Sequence, residues 1–148
     1  MKFNRDKHHR RSIRLKGYNY AKCGAYFVTM CAQNRECFFG AIHHNKRVLN
    51  DAGEMLYKIW NDIPNTYPEI VIDEFIVMPN HVHGIICIVG APLVGDLSVE
   101  DRAGTRPAPT TLGNVVGIFK SISTHQYAIN VNTNKWTPFP GKLWQRMF

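Results

Sequence analysis

Apolar residues along the chain follow patterns that predict three β-strands. Residues 25–31 and 70–78 are rich in β-formers, and 70–78 alternates between apolar and polar positions. Residues 82–89 form a third, almost continuously apolar strand, which the turn Pro79-Asn80 separates from the second. Because that turn is tight, these two strands must be antiparallel neighbours. A hairpin is also predicted, with short strands at 37–39 and 47–49 and a connecting turn at 40–46.

Two helices are predicted from apolar residues at helical spacing. Asn50 or Asp51 caps the first, and Pro64 and Pro68 bracket its end. Thr111 caps the second, which starts one residue later. Their apolar positions are Met55, Leu56, Ile59 and Ile63 in the first helix and Val115, Val116, Phe119 and Ile122 in the second. The order strand, hairpin, helix, strand, strand, helix predicts an α+β sandwich of ferredoxin-like type, with the helices on one face of an antiparallel sheet.

The length of 148 residues predicts one domain, residues 1–148, with a basic arm at 1–22 and a flexible, proline-broken loop at 90–111. Residues 131–141 are predicted to form a loop, and residues 143–146 begin a last element. No apolar stretch approaches the roughly 20 residues that span a bilayer. No apolar run follows the basic N-terminus, so we expect a cytoplasmic protein without membrane contact. The four scattered cysteines are expected to be reduced and structural.

The net charge of +7 favours an anionic partner, and its distribution points to nucleic acid. Residues 1–22 carry eight Lys or Arg residues and one acidic residue, together with Tyr18 and Tyr20. Such an arm can neutralise phosphates while its aromatic rings stack on unpaired bases. The predicted phosphate contacts in the arm are Arg10, Arg11, Arg14 and Lys16. The alternative interpretation is a solvated tail that only aids solubility.

The pair His81 and His83 is the main candidate for chemistry. Residues i and i+2 of a strand point to the same face, so the two imidazoles lie side by side and can bind one divalent ion. Two histidines leave the coordination shell incomplete, and a third protein ligand or phosphate oxygens must complete it. The alternative is two histidines that merely bond to carbonyl groups. A histidine-triad hydrolase is excluded, because Ile85 occupies the position of its next histidine.

Residues 78–83, Met-Pro-Asn-His-Val-His, followed by an apolar strand, resemble the HUH motif of the IS200-like and REP-associated tyrosine transposases. Further stretches resemble this family in the same order, at 11–18, 24–29, 34–40, 112–121 and 143–146. The resemblance implies a transposase that cleaves single-stranded hairpin DNA through a tyrosine nucleophile. It also implies Mg²⁺ or Mn²⁺ at His81 and His83, phosphate contacts by Lys120 and Arg146, and a monomer or homodimer.

The chain departs from that family at the expected nucleophile. Counting on from Trp144-Gln145-Arg146 places Phe148 where the family has its tyrosine, and phenylalanine has no hydroxyl group to attack a phosphate. The helix that carries the nucleophile is therefore expected to be truncated. Tyr127 is the substitute candidate, although a tyrosine on an amphipathic helix usually packs at the edge of the core.

Two functions therefore remain open from the sequence. One is a transposase, a single-strand DNA endonuclease that depends on Tyr127 or on a further segment. The other is a catalytically inactive DNA-binding remnant. An RNA-binding sheet protein is a weaker alternative, because the glycine and aromatic strand motif of such proteins is missing.

Overall fold

The strands and helices follow the predicted order. In the computed structural model, which describes residues 15–89 and 110–146, the elements are β1 (Gly24–Cys31), β2 (Gly40–His43), β3 (Lys46–Leu49), α1 (Asp51–Thr66), β4 (Ile70–Met78), β5 (His81–Ile88) and α2 (Leu112–Thr133). A short 3-10 turn, Gln33–Arg35, follows β1. The predictions for Arg10, Arg11, Arg14, Phe148 and nearly all of the loop 90–111 lie outside the described residues.

The main sheet has the order β1-β5-β4, and both pairs of neighbours are antiparallel. β5 is therefore the central strand, joined to β4 by the turn at Pro79 and Asn80 as predicted. A bulge between Ile72 and Phe75 shifts the register of β4 against β5. The hairpin of β2 and β3 forms a separate small sheet.

Burial alternates along β5 and shows which face of the sheet meets the helices. Val82, Gly84, Ile86 and Ile88 are buried, whereas the residues between them are partly exposed. Trp60 of α1 stacks on Phe75 of β4 with ring centroids 4.3 Å apart, and Phe119 of α2 contacts both rings. Both helices thus pack on one face of an antiparallel sheet. The prediction of a ferredoxin-like α+β fold is confirmed.

Both helix caps lie where the sequence placed them. The Asn50 side chain accepts a hydrogen bond from the Gly53 amide at 3.0 Å, and the Thr111 hydroxyl accepts one from the Asn114 amide at 3.2 Å. In the described part of the chain, no helix is long and apolar enough to cross a membrane.

Two predicted boundaries were wrong, whereas the predicted end of α1 is confirmed, because its last residue, Thr66, lies between Pro64 and Pro68. The helix α2 continues to Thr133, into the segment predicted as a loop. The first hairpin strand is Gly40–His43 and not 37–39. Phe38 and Phe39 are buried in the core instead, and the Phe39 amide donates to the Pro79 carbonyl.

The shifted hairpin has a local cause in its turn. His44 and Asn45 both have positive φ, 49° and 61°, as a two-residue turn of type I′ requires. That turn fixes the pairing of His43 with Lys46, so the first strand must end at His43.

Candidate metal and nucleic-acid site

His81 and His83 lie on the face of the sheet that the helices leave open. Their neighbours in β5, Val82 and Gly84, point to the opposite face and are buried against the helices. This is the period-two alternation of a strand that is covered on one side. The two ring centroids are 4.7 Å apart with an angle of 76° between the planes. The prediction that both imidazoles share one face is therefore confirmed.

Each imidazole is oriented by a neighbour through its Nδ1 atom. His81 Nδ1 lies 2.7 Å from the Asn80 side-chain oxygen, and His83 Nδ1 lies 2.8 Å from the Thr29 hydroxyl. The Asn80 oxygen only accepts hydrogen bonds, so His81 carries its proton on Nδ1 and keeps the Nε2 lone pair for a ligand. Metal-binding histidines are commonly held in this way by a hydrogen bond to the second ring nitrogen.

The electrostatic setting keeps His81 neutral. Partial burial lowers its pKa below the usual 6.5, and the nearby His83 and Arg35 lower it further. Only the neutral imidazole can donate a lone pair to a metal, so a lowered pKa keeps the ring in its ligating form down to a lower pH.

The donor set fits a divalent cation only if further oxygen ligands complete it. Within residues 15–89 and 110–146, no third His, Cys, Asp or Glu joins the two histidines. Two imidazoles are borderline ligands that accept Mn²⁺, and the remaining positions suit phosphate or water oxygens. The residues present thus fit a cation that is bound together with an anionic substrate.

Tyr127 lies in the hydrophobic core. Its side chain is 1% exposed and packs edge-on against Phe38, Trp136 and Phe139. The hydroxyl donates to the Thr137 carbonyl at 2.8 Å, and burial raises the pKa of this tyrosine. A buried, protonated and hydrogen-bonded hydroxyl is a poor nucleophile. The structure thus gives Tyr127 the packing role that the sequence offered as the alternative.

A basic groove lies between α2 and the C-terminal segment. It has a volume of about 570 Å³, and its lining includes Lys120, His125, Lys142 and Arg146. Among the described residues that line it, none carries a carboxylate. A second groove, in contrast, is lined by the acidic residues Asp51 and Glu54.

The basic groove adjoins the end of the sheet that carries the histidines. Lys120 Nζ donates to the Gln145 carbonyl at 2.9 Å, and the Gln145 amide donates to the Cys31 carbonyl at 2.8 Å. Cys31 is in turn the β1 partner of His81. Sequence reasoning named Lys120 and Arg146 but missed Lys142, because only the fold brings α2 beside the C-terminal segment.

A tyrosine cluster lies where the described part of the basic arm meets β1. Tyr18 and Tyr20 pack edge-on with centroids 4.9 Å apart, and Tyr26 lies within 6.4 Å of Tyr18. A hydrogen bond with Tyr18, together with partial burial, raises the pKa of Tyr26 to about 12, so its hydroxyl stays protonated. Lys16 is exposed nearby in sequence, as a phosphate contact would be.

Sequence reasoning also missed Phe27. This β1 residue is 69% exposed, and its ring stacks on the His83 imidazole with centroids 5.4 Å apart. The alternation of side chains along a strand could have revealed Phe27, because Phe27 and Thr29 are two residues apart and point to the same face of the sheet. Thr29 is the β1 partner of His83.

Comparison with known proteins identifies a relative. No protein-family model matches the chain. A protein of Haemophilus influenzae, described as uncharacterized, is 45% identical over 125 residues, which cover 81% of this chain and 69% of that protein. Identity at this level over most of both chains is shown only by proteins that share their fold and ancestry. The chain therefore belongs to the same protein family as this Haemophilus influenzae protein.

Proposed function

We propose that the protein binds single-stranded hairpin DNA and holds one divalent cation, Mg²⁺ or Mn²⁺, between His81, His83 and a DNA phosphate. The observation that carries this proposal is the pair of imidazoles on the open face, with both Nδ1 atoms engaged by neighbours. In metal-binding histidines, a hydrogen bond at one ring nitrogen leaves the other nitrogen to bind the metal. The proposal includes a cytoplasmic location and a monomer or homodimer.

The basic surfaces support DNA as the anionic ligand. The chain has a net charge of +7, and the sequence of residues 1–22 combines eight Lys or Arg residues with Tyr18 and Tyr20, which belong to the tyrosine cluster. The groove with Lys142 and Arg146 offers a path for a phosphate backbone toward the histidines. Positive grooves combined with exposed aromatic rings are typical of single-strand binding.

The reaction that we propose is the transesterification typical of HUH transposases. A tyrosine hydroxyl would give up its proton as its oxygen attacks phosphorus and forms a phosphotyrosine bond to the 5′ side of the cut. The bond between phosphorus and the 3′ oxygen would break, and that oxygen would take up a proton. A bound divalent cation would polarise the phosphate and offset the charge that develops on it. Within this chain, His81 and His83 hold the cation, and Lys142 and Arg146 bind the flanking phosphates.

Binding without cleavage is the second candidate, and two observations favour it. Tyr127 is buried, and its hydroxyl is hydrogen-bonded to a carbonyl group. Phe148 has no hydroxyl at the position where the resemblance to HUH transposases places the nucleophile. The protein would then recognise hairpin DNA and leave it intact.

One experiment tests both candidates. The full chain is incubated with end-labelled hairpin DNA and Mn²⁺, and the products are separated on a denaturing protein gel and on a native gel. A labelled adduct on the denaturing gel supports the transposase, and peptide mapping identifies the tyrosine. A shift on the native gel alone supports the binding module. No shift, or an equal shift with fully duplex DNA, contradicts the proposal, and a protein carrying both His81→Ala and His83→Ala is the control for metal dependence.

A further inference from the structure

Phe27 is the most exposed large apolar side chain in residues 15–89 and 110–146. It lies on β1, between the buried position Val28 and the partly buried position Tyr26. An aromatic ring that stays 69% exposed contributes little hydrophobic stabilisation to folding. Its position calls for a reason other than core packing.

One face of the Phe27 ring is occupied. The ring stacks on the His83 imidazole with an angle of 23° between the planes and centroids 5.4 Å apart. His83 is itself fixed by the Thr29 hydroxyl, so the ring rests on an oriented support. A nearly parallel stack on one side, together with high exposure, leaves the second face of the ring for a flat ligand.

We propose that Phe27 stacks on an unpaired DNA base, next to the phosphate that the histidine pair binds. This inference rests on the proposed function and adds the recognition of a base to it. Stacking of aromatic rings at centroid separations of 4.5–7 Å is favourable in itself, and a nucleobase offers the same flat face. The base would belong to a nucleotide that flanks the bound phosphate, because the Phe27 and His83 rings are in contact.

The surroundings favour a single-stranded nucleic acid as the occupant. The open face carries two imidazoles, and the groove at the end of this sheet is basic without a carboxylate among its described lining residues. The whole chain has a net charge of +7, which matches a polyanion. A base within a duplex has both faces covered by its neighbours, so Phe27 would select unpaired positions of a hairpin, such as its loop or flank.

The test measures the affinity of the full chain for hairpin DNA with single-stranded flanks, with Mn²⁺ and again with a chelator. Phe27→Ala is expected to weaken binding on the order of tenfold, as loss of one base stack does elsewhere. Phe27→Trp keeps a flat ring and is expected to bind as tightly as the wild type. Ile42→Ala is the matched control, because Ile42 is 54% exposed on the separate hairpin and should not matter.

Abasic substitutions in the DNA locate the stacked base. One unpaired position should lose affinity for the wild type when its base is removed, and the same removal should have no effect on Phe27→Ala. If Phe27→Ala binds the hairpin DNA as tightly as the wild type, the inference is overturned but the proposed function stands. Absence of binding by the wild type would overturn both.

Thermal denaturation tests whether Phe27 has a purely structural role. Phe27→Ala and Ile42→Ala should melt close to the wild type, since both side chains are largely exposed. A fall in Tm for Phe27→Ala as large as that of a core truncation would show that another part of the chain covers the ring, and would overturn the inference.

Discussion

Replacing Gly84 with alanine is expected to destabilise the protein by overfilling the core beneath the histidine strand. A Cβ at this position would lie 2.5 and 2.6 Å from Cη2 and Cζ2 of Trp60, and 3.1 Å from Cδ2 of Phe75. Trp60 is 1% exposed and stacks on Phe75, so neither ring has space to retreat. The φ of Gly84 is not left-handed, so the cost comes from the contact alone.

The magnitude follows from two opposing contributions. Adding a methyl group to a filled core costs about 1–3 kcal/mol, and a clash with a rigid, buried ring belongs near the upper end. Alanine recovers about 0.5–1 kcal/mol relative to glycine within a strand, because it restricts the unfolded chain. The net loss is about 2 kcal/mol, which corresponds to a fall in Tm of about 4–8 °C for a chain of this size.

Thermal denaturation followed by circular dichroism measures this loss. Gly117→Ala is the matched control, because a Cβ on this exposed helical residue meets nothing within 4 Å, and helix propensity predicts a gain of up to about 1 kcal/mol. Adding Trp60→Phe to Gly84→Ala should return part of the lost stability, because the clashing atoms Cη2 and Cζ2 belong to the six-membered ring of the indole, which a single phenyl ring does not extend to. A Gly84→Ala protein that melts at the wild-type temperature would refute the reasoning.

Four further predictions concern charge and metal. His81→Ala should abolish Mn²⁺ binding in calorimetry while leaving Tm nearly unchanged, and an unaltered affinity would contradict the ligand assignment. The lowered pKa of His81 means that the unfolded chain binds this proton more readily, so folding stability should rise with pH up to about 6.5 and then level off. Arg35→Gln removes one cause of that shift and should raise the His81 pKa in an NMR titration. Deleting residues 1–17, or replacing Lys142 with Met, should flatten the salt dependence of DNA binding. If the salt dependence is unchanged in one of these variants, the residues that it lacks do not contact phosphates.

Much of the fold could be predicted because its signals are local. The bounds of β4 were found as the structure has them, since apolar and polar residues alternate there and a proline turn follows. The caps Asn50 and Thr111 were found because one side chain determines each. Phe38 and Phe39 were misread as strand, because aromatic residues favour strands and only tertiary packing shows that they fill the core.

The candidate site was only partly predictable. The spacing of His81 and His83 gives a shared face, but it cannot show that this face is the one without helices. The burial of Tyr127 depends on Trp136 and Phe139, which lie in a segment without regular periodicity. The basic groove joins residues about 25 positions apart, such as Lys120 and Gln145, and nothing local marks that contact.

The residues His81, Val82, His83 and Gly84 show why the motif has this composition. Successive residues of a strand face opposite sides, so ligands for a cation can occupy only alternate positions. The positions between them must fit under the helices, and Val82 is fully buried there. Gly84 must lack a side chain because Trp60 occupies that space. We therefore expect that exchanging the two histidines would affect only the proposed metal binding, whereas exchanging Val82 or Gly84 would disturb the strand that holds the histidines.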